Sequence, residues 1–156
     1  MGQMIPGTDW QLQVIALLQA YLEEHFGKTE LVEMEDTAFL RFAPALFTDG
    51  SGQVLMEVCL VTYSDEITVA QIYSTVLTDL GEKTEDLRAA LPAWNFTSIA
   101  GSYGIYEEQG HLYHKQNIAL INDAAADDQA DFLFTGLCLA MDEMARCYPD
   151  AVAIVG

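Results

Sequence analysis

The sequence predicts an α+β fold: an antiparallel sheet with helices packed on one face, in the order α-β-β-β-α-β-β-α. Three observations predict it. Apolar residues recur at helical spacing near both ends, at Val14, Leu17, Leu18, Tyr21 and Leu22 and again at Phe132, Leu133, Leu137, Ala140, Met141 and Met144. Between Glu30 and Leu80 the apolar period shifts towards two, the alternation of a half-buried strand. Glu107-Glu108-Gln109-Gly110 then separates two further alternating runs, the pattern of a hairpin. With 156 residues, 51% of them hydrophobic, a single domain over 1–156 buries a core without disulfides or metals.

The first helix opens at Thr8, which forms a capping-box pattern with Gln11, and Gly27 stops it. Leu31 to Glu35 reads as a short strand that runs on into Phe39–Phe47. Pro44 cannot donate to a ladder and marks that run as an edge or bulge. Asp49-Gly50-Ser51-Gly52 is a turn. Val54 to Tyr63 is a strand with Val54, Met56, Val58 and Leu60 on one face. Thr68 to Leu77, rich in Thr, Val, Ile and Tyr, reads as a strand, although its apolar spacing also permits a helix. The middle helix starts near Thr84, with Glu85 and Asp86 at the positive end of its dipole, and ends near Pro92. The closing helix starts near Asp127 and ends before Pro149. Ala151–Val155 is then a short apolar tail, either an added strand or a loosely packed end.

The hairpin register follows from its residues. A four-residue loop, Glu107 to Gly110, puts Gly110 where φ must be positive and sets Tyr106 opposite His111. Ile105 then pairs with Leu112, Tyr103 with His114 and Ile99 with Ile118, all on one face. Ser102, Tyr106, His111, Tyr113, Lys115 and Asn117 share the other, polar face. A three-residue loop would mix the two faces.

Charge excludes several functions. Lys and Arg total 6 against 24 Asp and Glu, for a net charge of −18. The acid is spread along the whole chain. Six scattered bases do not neutralise a phosphate backbone or an anionic membrane surface, so neither nucleic acid nor membrane is an expected partner. No apolar run reaches about 18 residues and no charged leader opens the sequence. Cys59, Cys138 and Cys147, odd in number and irregularly spaced, fit reduced thiols in the cytoplasm. Cys138 and Cys147 fall about 180° apart around one helix and cannot share a metal.

Motifs that could carry chemistry are absent or misplaced. His111 and His114 would share a face on a helix but point to opposite faces on a strand. The acid pairs Glu23-Glu24, Asp65-Glu66, Glu85-Asp86, Glu107-Glu108, Asp127-Asp128 and Asp142-Glu143 occupy turns, helix starts and polar faces, where solvated acids belong. Gly101-Ser102-Tyr103-Gly104 lies within a strand, not at a nucleophile elbow. No catalytic residue, cofactor or metal site is expected.

Leu87-Arg88-Ala89-Ala90-Leu91 leads into Trp94-Asn95, followed by Tyr103-Gly104-Ile105-Tyr106 and Gly110-His111-Leu112. This arrangement resembles the YbjN-like and type III secretion chaperone-like families. Those proteins are similar in size and acidity, with an Asn after the middle helix, an acidic-Gly hairpin turn and a closing helix. The likeness is one of topology over nearly the whole chain and of sequence over residues 87–121. It implies homodimerisation and binding of protein segments without catalysis, and it gives Asn95 and Gly110 structural roles.

The expected function is an acidic, cytoplasmic protein-interaction domain that binds basic or amphipathic clients. Trp94, Phe96, Tyr106, His111, Tyr113 and Lys115 are the expected contact residues, because aromatics at element ends and on polar sheet faces make interface anchors. The alternative is a small enzyme or small-molecule binder with a sheet pocket near His114 and Tyr103.

Overall fold

A computed structural model describes residues 9–34 and 37–156. The elements run α1 (Asp9–Phe26), β1 (Glu30–Met34), β2 (Thr37–Phe42), β3 (Leu55–Thr62), β4 (Ile67–Leu77), α2 (Thr84–Thr97), β5 (Ser102–Tyr106), β6 (His111–Ile121) and α3 (Ala126–Val155). The strands form one antiparallel sheet in the order β1-β2-β3-β4-β6-β5. The fold class is the expected one, α+β with helices on a sheet. The run 31–47 holds two strands instead of one: β1 turns back on β2, with Leu31 opposite Leu40 and Val32 opposite Phe39. β2 ends at Phe42, and the Pro44 carbonyl accepts the Val54 N–H at 3.1 Å in the loop that follows. The predicted cap at Thr8 lies outside the described residues.

One face of the sheet is buried and the other is not. Val58 and Leu60 of β3, Thr68, Ala70, Ile72, Ser74 and Val76 of β4, and Leu112, His114, Gln116, Ile118 and Leu120 of β6 are all buried, while their neighbours in sequence are half-buried or exposed. This strict alternation along eleven residues of β4 settles it as a strand; a helix would bury every third or fourth residue.

The chain packs as two compact units. Of the described residues, one comprises those up to Phe42 with Glu57–Ile72 and Asn117–Cys138; the other comprises Ala43–Met56, Tyr73–Gln116 and Leu139–Gly156. In the first, Val14, Leu18 and Leu22 of α1 are fully buried and Gln11 reaches the hydroxyls of Thr62 and Thr68. Phe26, at the end of α1, packs against Phe42 and Phe134. In the second, Leu87 of α2 and Ala140, Met144 and Ala151 of α3 are buried with Tyr103, Leu112 and His114.

Both helix ends predicted from proline are corrected. α2 continues through Pro92 to Thr97, and α3 continues through Pro149 to Val155. An interior proline costs a helix about 3 kcal/mol, and packing on the far side offsets that cost here. Beyond Pro92, the Trp94 ring sits edge-on to Tyr103 at 5.6 Å, and Asn95 bonds the Tyr103 backbone. Around Pro149, Tyr148 sits edge-on to Phe47 and Ala151 is buried. The tail 151–155 is therefore helical, neither a strand nor a loose end.

The hairpin register is the predicted one at Tyr106–His111, Ile105–Leu112 and Tyr103–His114, with Gly110 at φ 64°. The Ile99–Ile118 pair does not form. β5 begins at Ser102, and Gly101 at φ 75° turns the chain out of the sheet before it. A side chain at Gly101 would place its Cβ 2.3 Å from the Lys115 carbonyl and 2.9 Å from the His114 ring. Gly101→Ala should therefore lower the unfolding free energy in urea by about 1–3 kcal/mol. Gly27→Ala, at φ 89° but with open space around it, should cost less.

Candidate protein-binding face

The outward residues of β5, β6 and the end of β4 build one surface. Tyr106, His111, Tyr113 and Lys115 all lie on it, as expected from their register, together with Ser102, Gly104 and Tyr73. Tyr73 stacks on Tyr113 with ring centroids 5.1 Å apart and planes 22° from parallel. Tyr113 lies across Gly104, where an added Cβ would meet its hydroxyl oxygen at 2.3 Å. Gly104 is the gap that lets the tyrosine lie flat. The outward positions of these three strand segments hold no carboxylate, in a chain with 24 of them. Glu107 and Glu108 border the surface in the hairpin turn, where Arg88 bridges Glu107 to Glu85.

Trp94 and Phe96 belong elsewhere. They lie on α2, and Trp94 packs on Tyr103, whose side chain points into the core. Phe96 is 90% exposed and Ile99, just after the helix, is 79% exposed. Both lie near the α2–β5 corner, away from the sheet face in sequence. The six expected contact residues thus divide into two sets, and Tyr73 and Ile99 join them. Tyr73 sits in an ordinary strand run, and only its cross-strand neighbour marks it.

Buried and half-buried polar side chains hold that corner in place. Asn95 accepts the Tyr103 N–H at 2.6 Å and donates to the Tyr103 carbonyl at 3.0 Å. One amide thus mimics a strand partner at Tyr103 and satisfies both of its edge-facing backbone groups. Glu143 of α3 accepts the Ile99 N–H at 2.7 Å and a bond from Arg146 at 2.5 Å. His114 Nε2 lies 2.9 Å from the Ala100 carbonyl and so carries the proton, which leaves Nδ1 as a buried acceptor with no partner among the described residues. The Tyr103 hydroxyl donates to the Glu143 carbonyl at 3.0 Å.

This cluster corrects the reading of the acid pair Asp142-Glu143. Asp142 is exposed, but Glu143 is 3% exposed and structural. Burial disfavours the Glu143 charge, yet the Ile99 N–H and Arg146 outweigh it and hold the carboxyl below the usual range. Burial holds His114 below the ordinary histidine value, in its neutral form. Burial also raises the Tyr103 hydroxyl and the Cys147 thiol, which leaves both protonated and the thiol unreactive. Tyr103 and His114 do meet, with rings 5.0 Å apart, but both are enclosed in the core. Neither side chain presents its polar group to solvent, which leaves the alternative of a sheet pocket beside them without an exposed reactive group. His111 and His114 face opposite ways, as their strand spacing requires. Among the described residues no group of three or more His, Cys, Asp or Glu could hold a metal, and no helix is long and apolar enough to cross a membrane.

Two tests follow from the corner. Asn95→Ala removes a donor and an acceptor from a half-buried strand edge and should cost about 1–3 kcal/mol in chemical denaturation. The second test is pH. His114 and Glu143 both have folded-state values below their unfolded ones, 6.5 and 4.5, so the unfolded chain binds more protons as pH falls. Their stabilisation is complete above about pH 7, declines from about pH 6.5 as His114 must charge, and declines again below about pH 4.5. In His114→Gln, which keeps a donor towards Ala100 but does not titrate, the decline that starts near pH 6.5 should disappear from thermal melts.

No family model matches this chain, and no curated protein matches it. Among solved structures, it is similar to YbjN from E. coli, a proposed transcription regulator, with a TM-score of 0.53 over 96% of each chain and 13% sequence identity. Identity that low carries the fold and no more. The likeness spans nearly the whole of both chains, and the chain has a YbjN-like fold.

Proposed function

We propose that this chain is a non-catalytic protein-interaction domain of the cytoplasm. It binds an amphipathic client segment on the outward face of β5, β6 and the end of β4. The observation that carries this reading is the Tyr73–Tyr113 stack lying across Gly104 on a surface without carboxylates. Tyrosine pairs of this kind supply large, stiff, half-apolar contact area at little conformational cost. Glu107 and Glu108 at the rim, and the −18 charge behind them, favour basic residues beside the client's apolar face. The domain works as a homodimer, and a regulatory role is exerted through protein contacts, since six bases are too few to hold nucleic acid.

The test is a comparison. Proteins captured by the wild-type chain should be lost with Tyr73→Ala/Tyr113→Ala at a temperature where both are folded. Capture should also weaken several-fold between 50 and 500 mM salt, as a charged rim requires, about 1 kcal/mol or less being screened per exposed pair. Equal capture by both proteins would remove the face from consideration. Light scattering should give twice the monomer mass, and a strictly monomeric protein would remove the dimer.

A further inference from the structure

The first compact unit contains a cleft that the open sheet face does not use. Trp10, in the first turn of α1, donates from Nε1 to the Ala124 carbonyl at 2.6 Å. Gln11, 4% exposed, donates from Nε2 to Thr62 Oγ1 at 2.8 Å and to Thr68 Oγ1 at 3.2 Å. Thr68 Oγ1 in turn donates to Asn122 Oδ1 at 2.6 Å, Asn122 Nδ2 donates to the Ser64 carbonyl at 3.0 Å, and Asn122 N donates to the Glu66 carbonyl at 2.9 Å. These bonds fix the walls of a cleft of about 100 Å³ lined by Trp10, Gln11, Thr62, Asn122 and Asp123.

The last of these residues differs from the rest. Asp123 sits in the left-handed region at φ 62°. Its carboxylate takes part in no hydrogen bond or ion pair among the described residues, while Trp10 Nε1, Gln11 Nε2 and the Asn122 side-chain amide beside it are each bonded. Asp123 is exposed, so a ligand reaches its carboxylate directly from solvent.

The chemistry of the lining narrows the ligand. The volume is too small for a nucleotide or an aromatic cofactor. The carboxylate and the overall charge exclude anions. One carboxylate is too few for a divalent cation, which takes about six oxygens. An indole wall, a carboxylate and a hydroxyl oxygen together suit a small organic cation, through cation–π attraction and a charge-assisted hydrogen bond. The start of α1 adds a partial positive charge nearby, which Asp9 in the same turn offsets.

We propose that this cleft binds a primary alkylammonium group, the end of a lysine side chain or of a free alkylamine. The walls are set by the chain's own hydrogen bonds, so the ammonium enters a preformed site. A single group in so small a cleft binds at about millimolar strength, and a lysine within a longer segment binds more tightly because its main chain adds contacts.

The experiment is a titration followed by the Trp10 indole N–H resonance in the full chain, assigned with Trp94→Phe. n-Butylammonium and Nα-acetyl-lysine methylamide should shift that resonance saturably, and the uncharged norleucine analogue should not. Asp123→Asn, tolerated at a left-handed position, should weaken binding about tenfold or more. Asp142→Asn, an exposed acid in the other unit, should leave it unchanged. A lysine peptide binding more tightly than n-butylammonium identifies a protein source, and equal binding identifies a small amine. Absence of a saturable shift, an equal response to norleucine, or unchanged affinity in Asp123→Asn would overturn the proposal.

Discussion

The side-chain amide of Asn95 pairs with both backbone groups of Tyr103, and the rest of the second unit depends on that pair. It holds the end of α2 against the outer edge of the sheet. It therefore fixes which way Tyr103 points. With Tyr103 inward, its hydroxyl reaches α3 and its ring meets His114 and Trp94. With Gly104 outward, Tyr113 can lie flat and stack on Tyr73. A slip of one residue in β5 would exchange these two faces and undo the core and the open surface together.

Two side chains complete what Asn95 begins. Glu143 and His114 reach the segment between α2 and β5 from opposite elements and take hold of Ile99 and Ala100. That arrangement explains how Phe96 and Ile99 can stay so exposed. Phe96 closes α2 and Ile99 follows in a short segment whose backbone is bonded inward, so their burial is not needed to hold the corner. It also explains why two titratable groups sit in the core. Each holds a backbone group of that segment: the Glu143 carboxylate accepts the Ile99 N–H, and the His114 ring donates to the Ala100 carbonyl.

Much of this was legible in the sequence, for physical reasons. Alternation along β6 is unbroken, and Gly110 admits one loop length, so the hairpin register could be read residue by residue. That register brought Tyr106, His111, Tyr113 and Lys115 to one face. What could not be read depends on contacts between distant residues. Pro92 and Pro149 signal helix ends locally, but packing beyond each one keeps the helix going. Ile99 looks like one more alternating residue until Gly101 turns the chain. Glu143 looks like half of an ordinary acid pair, and only the position of Ile99 reveals its role. Tyr73 and Asp123 gain meaning from neighbours 40 and 113 residues away, Tyr113 and Trp10.

Native-state hydrogen exchange at the Tyr103 amide shows whether the Asn95 side chain holds the edge of β5. That N–H faces the edge of the sheet, and its acceptor is Asn95. The account predicts protection close to that of the Leu112 and His114 amides, falling at least a hundredfold in Asn95→Ala while those two change by no more than the loss of global stability. Rapid exchange in the wild-type chain, or protection unaltered in the variant, would contradict it.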